Sequence, residues 1–177
     1  MKKRLHLLIL LLVAGSLTIT SCNKNEDDDN NNNNTPQEYV ATDSDFNGFR
    51  NWTLVAENQG PDPALGEAHA GNDSTVTRYI YFKDNAVRVN GAYPVGTIIV
   101  KESYNDDNSV HEYTAMVKRG NSFNPSGGDW EWFMLAGEGE IAKDQDGNPM
   151  RGADLMGGMC IGCHSQASDR DYAFSKP

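Results

Sequence analysis

The chain has 177 residues, with 15 Lys and Arg against 25 Asp and Glu and a formal charge of −10. That length points to one domain once targeting segments are set aside. The acidic balance excludes nucleic acid or an anionic bilayer as a partner held through surface charge.

Met1-Lys2-Lys3-Arg4 is a basic start, and Leu5 to Val13 is an apolar run interrupted only by His6. The run is too short to span a bilayer comfortably, so residues 1–21 read as a secretory signal. It ends Ile19-Thr20-Ser21-Cys22, a small residue followed by Cys, which resembles a bacterial lipobox. Cys22 is therefore the expected acylation site and membrane anchor, with ordinary cleavage and a free thiol as the alternative. Each buried acyl methylene contributes roughly 0.8 kcal/mol, and two or more chains anchor a protein stably. Loss of residues 1–21 removes three positive charges and no acid, taking −10 to −13. Lipid, rather than a basic patch, would then hold the protein at the periplasmic side of a bacterial membrane or at the cell surface.

Residues 22–36 are Asn- and Asp-rich, with five Asn from Asn30 to Asn34. Nothing in them can build a core, and they read as a disordered tether. Acids close behind Cys22 also resemble surface-export signals of some lipoproteins. The folded domain is expected over 37–177. Its periodicity is that of strands: Trp52 to Glu57, Val76 to Phe82, Thr97 to Tyr104, Val110 to Lys118 and Asp129 to Leu135. Ile98-Ile99-Val100 predicts a strand covered on both faces. Pro94-Val95-Gly96, Asn105 to Asn108 and Gly120 to Gly128 supply turns. Lys83 to Asn90 and Ser165 to Phe174 are candidate short helices. The fold class is α+β and strand-rich, an antiparallel sheet with a few short helices.

Two of the three cysteines fall in Cys160-Ile161-Gly162-Cys163-His164, the Cys-x-x-Cys-His attachment signal for haem c. Two thiols three residues apart can add to the two vinyl groups on one porphyrin edge, and the following His can ligate the iron. One covalent haem is thus expected on Cys160 and Cys163, with His164 as iron ligand. A redox disulfide would sit in a βαβ context, which is absent. A zinc site would need a second Cys pair, and the other histidines of the mature chain are His69 and His111. Met116, Met134, Met150, Met156 and Met159 are candidates for the sixth iron position, and an open distal side is equally compatible.

Thr77-Arg78-Tyr79-Ile80-Tyr81, Gly96 to Glu102, Met116-Val117-Lys118, Trp130-Glu131-Trp132-Phe133 and Cys160 to His164 followed by Asp171-Tyr172-Ala173-Phe174 form an ordered set of landmarks. From about Trp52 to Phe174 this resembles the cytochrome P-460 family, which includes the β-sheet type of cytochromes c-prime. The resemblance implies a dimer built on an antiparallel sheet over the haem, with a five-coordinate iron that binds small ligands. In catalytic members a Lys is cross-linked to the porphyrin, and Lys101 matches its position. Lys101 shares a strand face with Ile99 and Ser103; pairing with Glu102 or Asp106 at the surface is the bland alternative. Arg78 matches a distal-pocket Arg, which would stabilise negative charge on a bound nitrogen oxide or peroxide.

There is one departure. Hydroxylamine-oxidising members carry an acid near the position of Thr114-Ala115-Met116, where this chain has none; Glu112 is the nearest before them. Glu131 is expected to face solvent between Trp130 and Trp132. Three functions follow: oxidation of hydroxylamine or a related small nitrogen species with electrons passed to a redox partner protein, non-enzymatic binding of nitric oxide or a similar ligand, or electron carriage with a Met ligand.

Overall fold

The computed structural model describes residues 37–137 and 139–175; the expected signal segment, Cys22 and the tether lie outside the described residues. Seven strands form one sheet: β1 (Thr53–Gln59), β2 (Thr77–Phe82), β3 (Ile98–Tyr104), β4 (His111–Lys118), β5 (Trp130–Ala136), β6 (Glu140–Ile141) and β7 (Arg151–Gly152). They follow the order β1-β2-β3-β4-β5-β6, with β7 also paired to β5, and every pairing is antiparallel. The helices are short, α1 (Asp43–Phe46) and α2 (Met159–His164). No helix among the described residues is long and apolar enough to cross a membrane.

The five expected strands are all present, because alternation places side chains on opposite faces of a pleated strand. One face carries Tyr81, Val100, Tyr113, Ala115, Val117, Phe133 and Leu135, covered by Phe46 and Phe49 from the segment before β1. The other carries Ile80, Phe82, Ile99, Met116, Trp130 and Trp132, covered by the C-terminal segment through Cys160, Ile161, Tyr172 and Ala173. A sheet buried on both faces explains the apolar run Ile98-Ile99-Val100.

Two expectations are corrected. Lys83 to Asn90 makes only one 3-10 turn, Lys83–Asn85, with Asp84 and Asn85 in the left-handed region; no apolar stripe recurs at helical spacing there to hold a helix. Glu131 does not face solvent. It is 2% exposed and lies on the face covered by the N-terminal segment. Arg151 donates to it through Nε at 2.7 Å and Nη2 at 2.8 Å, and Arg119 through Nη1 at 3.3 Å. The second expected helix is a 3-10 run, Ser165–Arg170, continuing from α2.

One buried pair locks the C-terminal segment onto the sheet. Lys118 Nζ lies 2.7 and 2.8 Å from the Asp171 carboxylate, Tyr93 N–H donates to the same carboxylate at 2.7 Å, and the Trp130 indole donates to the Asp171 carbonyl at 2.8 Å. Removing one partner of a buried pair leaves an uncompensated charge. Lys118→Met is therefore expected to destabilise the protein by about 3–5 kcal/mol, read from urea unfolding. Loss of less than about 1 kcal/mol would show that Asp171 is solvated without its partner.

Candidate functional site

Strand register sets four rungs of side chains on the face under the C-terminal segment, and the middle rungs wall a cavity. Arg78, Ser103 and Glu112 are cross-strand neighbours, then Ile80, Lys101, Thr114 and Met134, then Phe82, Ile99, Met116 and Trp132. The last rung pairs Lys118 with Trp130. Side chains therefore grade from charged at one end to aromatic near the other. Ile80, Lys101, Glu112, Thr114, Met116, Trp132 and Met134 from the sheet line a mostly apolar cavity of about 300 Å³, closed by Cys160, Cys163 and His164 of α2 and by Leu65 to His69 of the β1–β2 loop.

Helix α2 begins after Gly158, whose φ of +81° would strain any other residue and whose added Cβ would meet Asp154 Oδ1 at 2.8 Å. Cys160 and Cys163, three apart on this helix, share one face and line the cavity. Neither is in a disulfide. Burial pushes the Cys160 thiol up, opposite to the depressed thiol of a redox Cys-x-x-Cys. His164 completes the helix. Its Nδ1 lies 2.7 Å from the Tyr172 carbonyl, which can only accept, so Nδ1 carries the proton and Nε2 keeps its lone pair. Its ring packs against Trp132 at 4.7 Å and Phe174 at 5.4 Å between centroids. Burial pushes its pKa down to about 4, so the imidazole is neutral at physiological pH.

Lys101 stands on the cavity wall between Ile80 and Thr114 in the register. Burial, and then the Arg78 guanidinium, bring its ammonium down to about 8. The surface pairing with Glu102 does not occur: Glu102 lies on the opposite face, where it accepts from Arg50 at 2.9 Å and contacts His111 at 3.1 Å. Arg78 is 1% exposed and is not among the cavity-lining residues. It donates instead to the Ala70 carbonyl at 3.3 Å and to the Gly60 carbonyl. Of the methionines, Met116, Met134, Met156 and Met159 line the cavity and Met150 lies outside it.

Two residues enter the site that sequence reasoning did not place there. Glu112 shares its face with Thr114 and Met116, so period-two alternation was the signal that could have found it. His69 comes from a loop and carries no such signal. Its Nδ1 lies 3.2 Å from Glu112 Oε1 and 3.4 Å from Thr114 Oγ1.

The family model of cytochrome P460 matches residues 46–175. The chain belongs to the cytochrome P460 family. No curated protein and no solved structure matches it. Membership implies a c-type haem, and the donor set of this P460 protein fits one. It offers two free thiols one helical turn apart, a neutral imidazole whose Nε2 has no partner among the described residues, and an apolar cavity beside them. The Trp132 indole N–H is buried without a hydrogen-bond partner among the described residues. A buried donor left unpaired is costly unless an acceptor brought into the cavity meets it.

Proposed function

We propose that this P460 protein is an exported, lipid-anchored mono-haem cytochrome that oxidises hydroxylamine or a related small nitrogen species. Cys160 and Cys163 would hold the haem covalently and His164 its iron, leaving an open distal position. The observation that carries the reading is the polar end of an otherwise apolar cavity, where Lys101 and Glu112 converge with Thr114. A carrier of electrons alone has no use for such a group of proton-handling side chains. When bound, the haem supplies a site for a small ligand and takes up its electrons.

The chain's own residues do the rest. The Tyr172 carbonyl keeps His164 in the tautomer that presents Nε2. Lys101 brings an amine that is neutral more often than an ordinary lysine's, suited to joining the porphyrin edge as in catalytic members of the family. Such a bond would replace C–H by C–N, a two-electron oxidation needing an oxidant of the peroxide class. Glu112 supplies the carboxylate absent at positions 114–116, held 3.2 Å from His69, and a proton acceptor positioned at this end of the cavity is worth typically 10²–10⁴-fold. The Arg78 guanidinium, after burial, disfavours a second positive charge on Lys101. Electrons would leave to a redox partner protein, and the working unit would be a homodimer.

Binding of nitric oxide without turnover is the second reading, favoured by the apolar rungs around Trp132, because nitric oxide brings no proton to be removed. The discriminating experiment is turnover of the purified protein with hydroxylamine and an artificial electron acceptor. Oxidation that saturates with hydroxylamine is expected. No turnover alongside tight nitric oxide binding would replace oxidation by the second reading.

A further inference from the structure

The loop between β1 and β2 presents a histidine in a conformation that side chains rarely adopt. His69 and Ala70 have φ of +53° and +52°, left-handed backbone that strains a non-glycine residue. The loop is fastened on several sides. Arg78 donates to the carbonyls of Ala70 and Gly60, Ser103 Oγ donates to the His69 carbonyl at 3.3 Å, and Asp62 N–H donates to the Gly71 carbonyl at 2.7 Å. These bonds hold the strained pair so that the imidazole lines the cavity.

Glu112 and Thr114 occupy Nδ1, and Nε2 has no partner among the described residues. The carboxylate fixes the proton on Nδ1, which leaves Nε2 as an acceptor. Burial, the first cause, pushes the His69 pKa down against the opposing pull of Glu112, while Lys101 and Arg78 push the same way as burial. The ring is therefore neutral, and the Glu112 carboxylate 3.2 Å from Nδ1 is placed to offset the charge of a proton taken up at Nε2. This cavity then holds two imidazoles, each with Nδ1 engaged and Nε2 open, His164 near the aromatic rung and His69 at the charged one.

We propose that His69, backed by Glu112 and Thr114, is the group that accepts a proton from an N–H- or O–H-bearing ligand in the cavity, and that Arg78 is the positioning residue that holds it there. The proposal rests on the open ligand site of the proposed function. In the step, the ligand's N–H or O–H bond breaks, an N–H bond forms at His69 Nε2, and the imidazolium keeps its Nδ1–H on Glu112. No electron moves in this step. Arg78, expected to meet the ligand itself, acts through the loop.

The test uses full-length, haem-loaded protein and two probes of the ferric form. Hydrogen cyanide must lose a proton as it binds, whereas nitric oxide has none to lose. His69→Ala is expected to slow cyanide association by about 100-fold or more, the low end of what a positioned proton acceptor contributes, with nitric oxide association unchanged. Glu112→Gln should slow cyanide on the order of tenfold and spare nitric oxide, because it removes only the partner of the imidazole. Arg78→Lys should slow cyanide in the parent but not further in the His69→Ala background, the non-additivity of residues acting as one unit.

Equal slowing of both probes, or no slowing of either, would overturn the proposal, as would a six-coordinate low-spin ferric spectrum lost in His69→Ala, which would make His69 an iron ligand. If the cyanide contrast holds while hydroxylamine is not turned over, the assigned reaction falls and the proton acceptor stands.

Discussion

His164→Gly is expected to leave the haem on the protein and to strip the iron of its protein ligand. In the proposed reading attachment would rest on Cys160, one turn before His164 on the same helix, and on Cys163, directly before it, and neither thiol would need the imidazole to stay in place. Ligation would rest on one ring, whose orientation is set by the Tyr172 carbonyl, Trp132 and Phe174. Loss of an outer partner of a metal ligand already costs typically 10–100-fold in affinity or activity, so loss of the ligand should cost at least about 100-fold in hydroxylamine oxidation. The glycine leaves space on the same side, and added imidazole at millimolar concentration should restore the wild-type absorption spectrum. An unchanged ferrous spectrum in the variant would show that the iron is held by another residue.

The second large effect concerns Lys101 and pH. With its pKa brought down to about 8, roughly a tenth of the amine is neutral at pH 7, against roughly one part in 3,000 for an ordinary lysine. The neutral amine is the nucleophile, so the gain in reactive form is on the order of 300-fold. The sign follows from the direction of the shift. Below pH 8 the amine is protonated and the rate of cross-link formation should rise about tenfold per pH unit. Above the pKa it is neutral and the rate should level off by about pH 9. A solvated lysine would keep climbing through pH 10. The rate is measured by mass spectrometry of proteolytic fragments after oxidant is added at each pH. Lys101→Arg should form no cross-link at any pH, because the guanidinium stays protonated. A profile that still climbs between pH 9 and 10 would place the amine in solvent.

The strands were legible because a strand's side chains alternate, and Ile80, Lys101, Thr114 and Met116 reach the cavity by that rule alone. The attachment motif was legible for a different reason: three residues of helix put two thiols and an imidazole together without help from the rest of the fold. Glu131 was misread because alternation says which residues share a face but not what covers that face. Phe46 and Phe49 cover it, from a segment whose own pattern is irregular. Strands β6 and β7 are two residues each, too short for any period to register.

Glu112 was counted as outside the site because sequence distance from positions 114–116 was used where face should have been. Arg78 was placed on the correct face, but its direction depends on where the Gly60 and Ala70 carbonyls lie, and those belong to a closed loop. His69 was beyond reach for the same reason. A loop has no period, and the backbone that carries His69 is held in place by long-range bonds to β2 and β3.

The most direct test of the account is mass spectrometry of the proteolytic fragment spanning Cys160 to His164, taken from full-length protein made in cells able to attach haem c. The account predicts that this fragment carries one haem, bound through both thiols. A fragment with two free thiols and haem lost on acid extraction would contradict it.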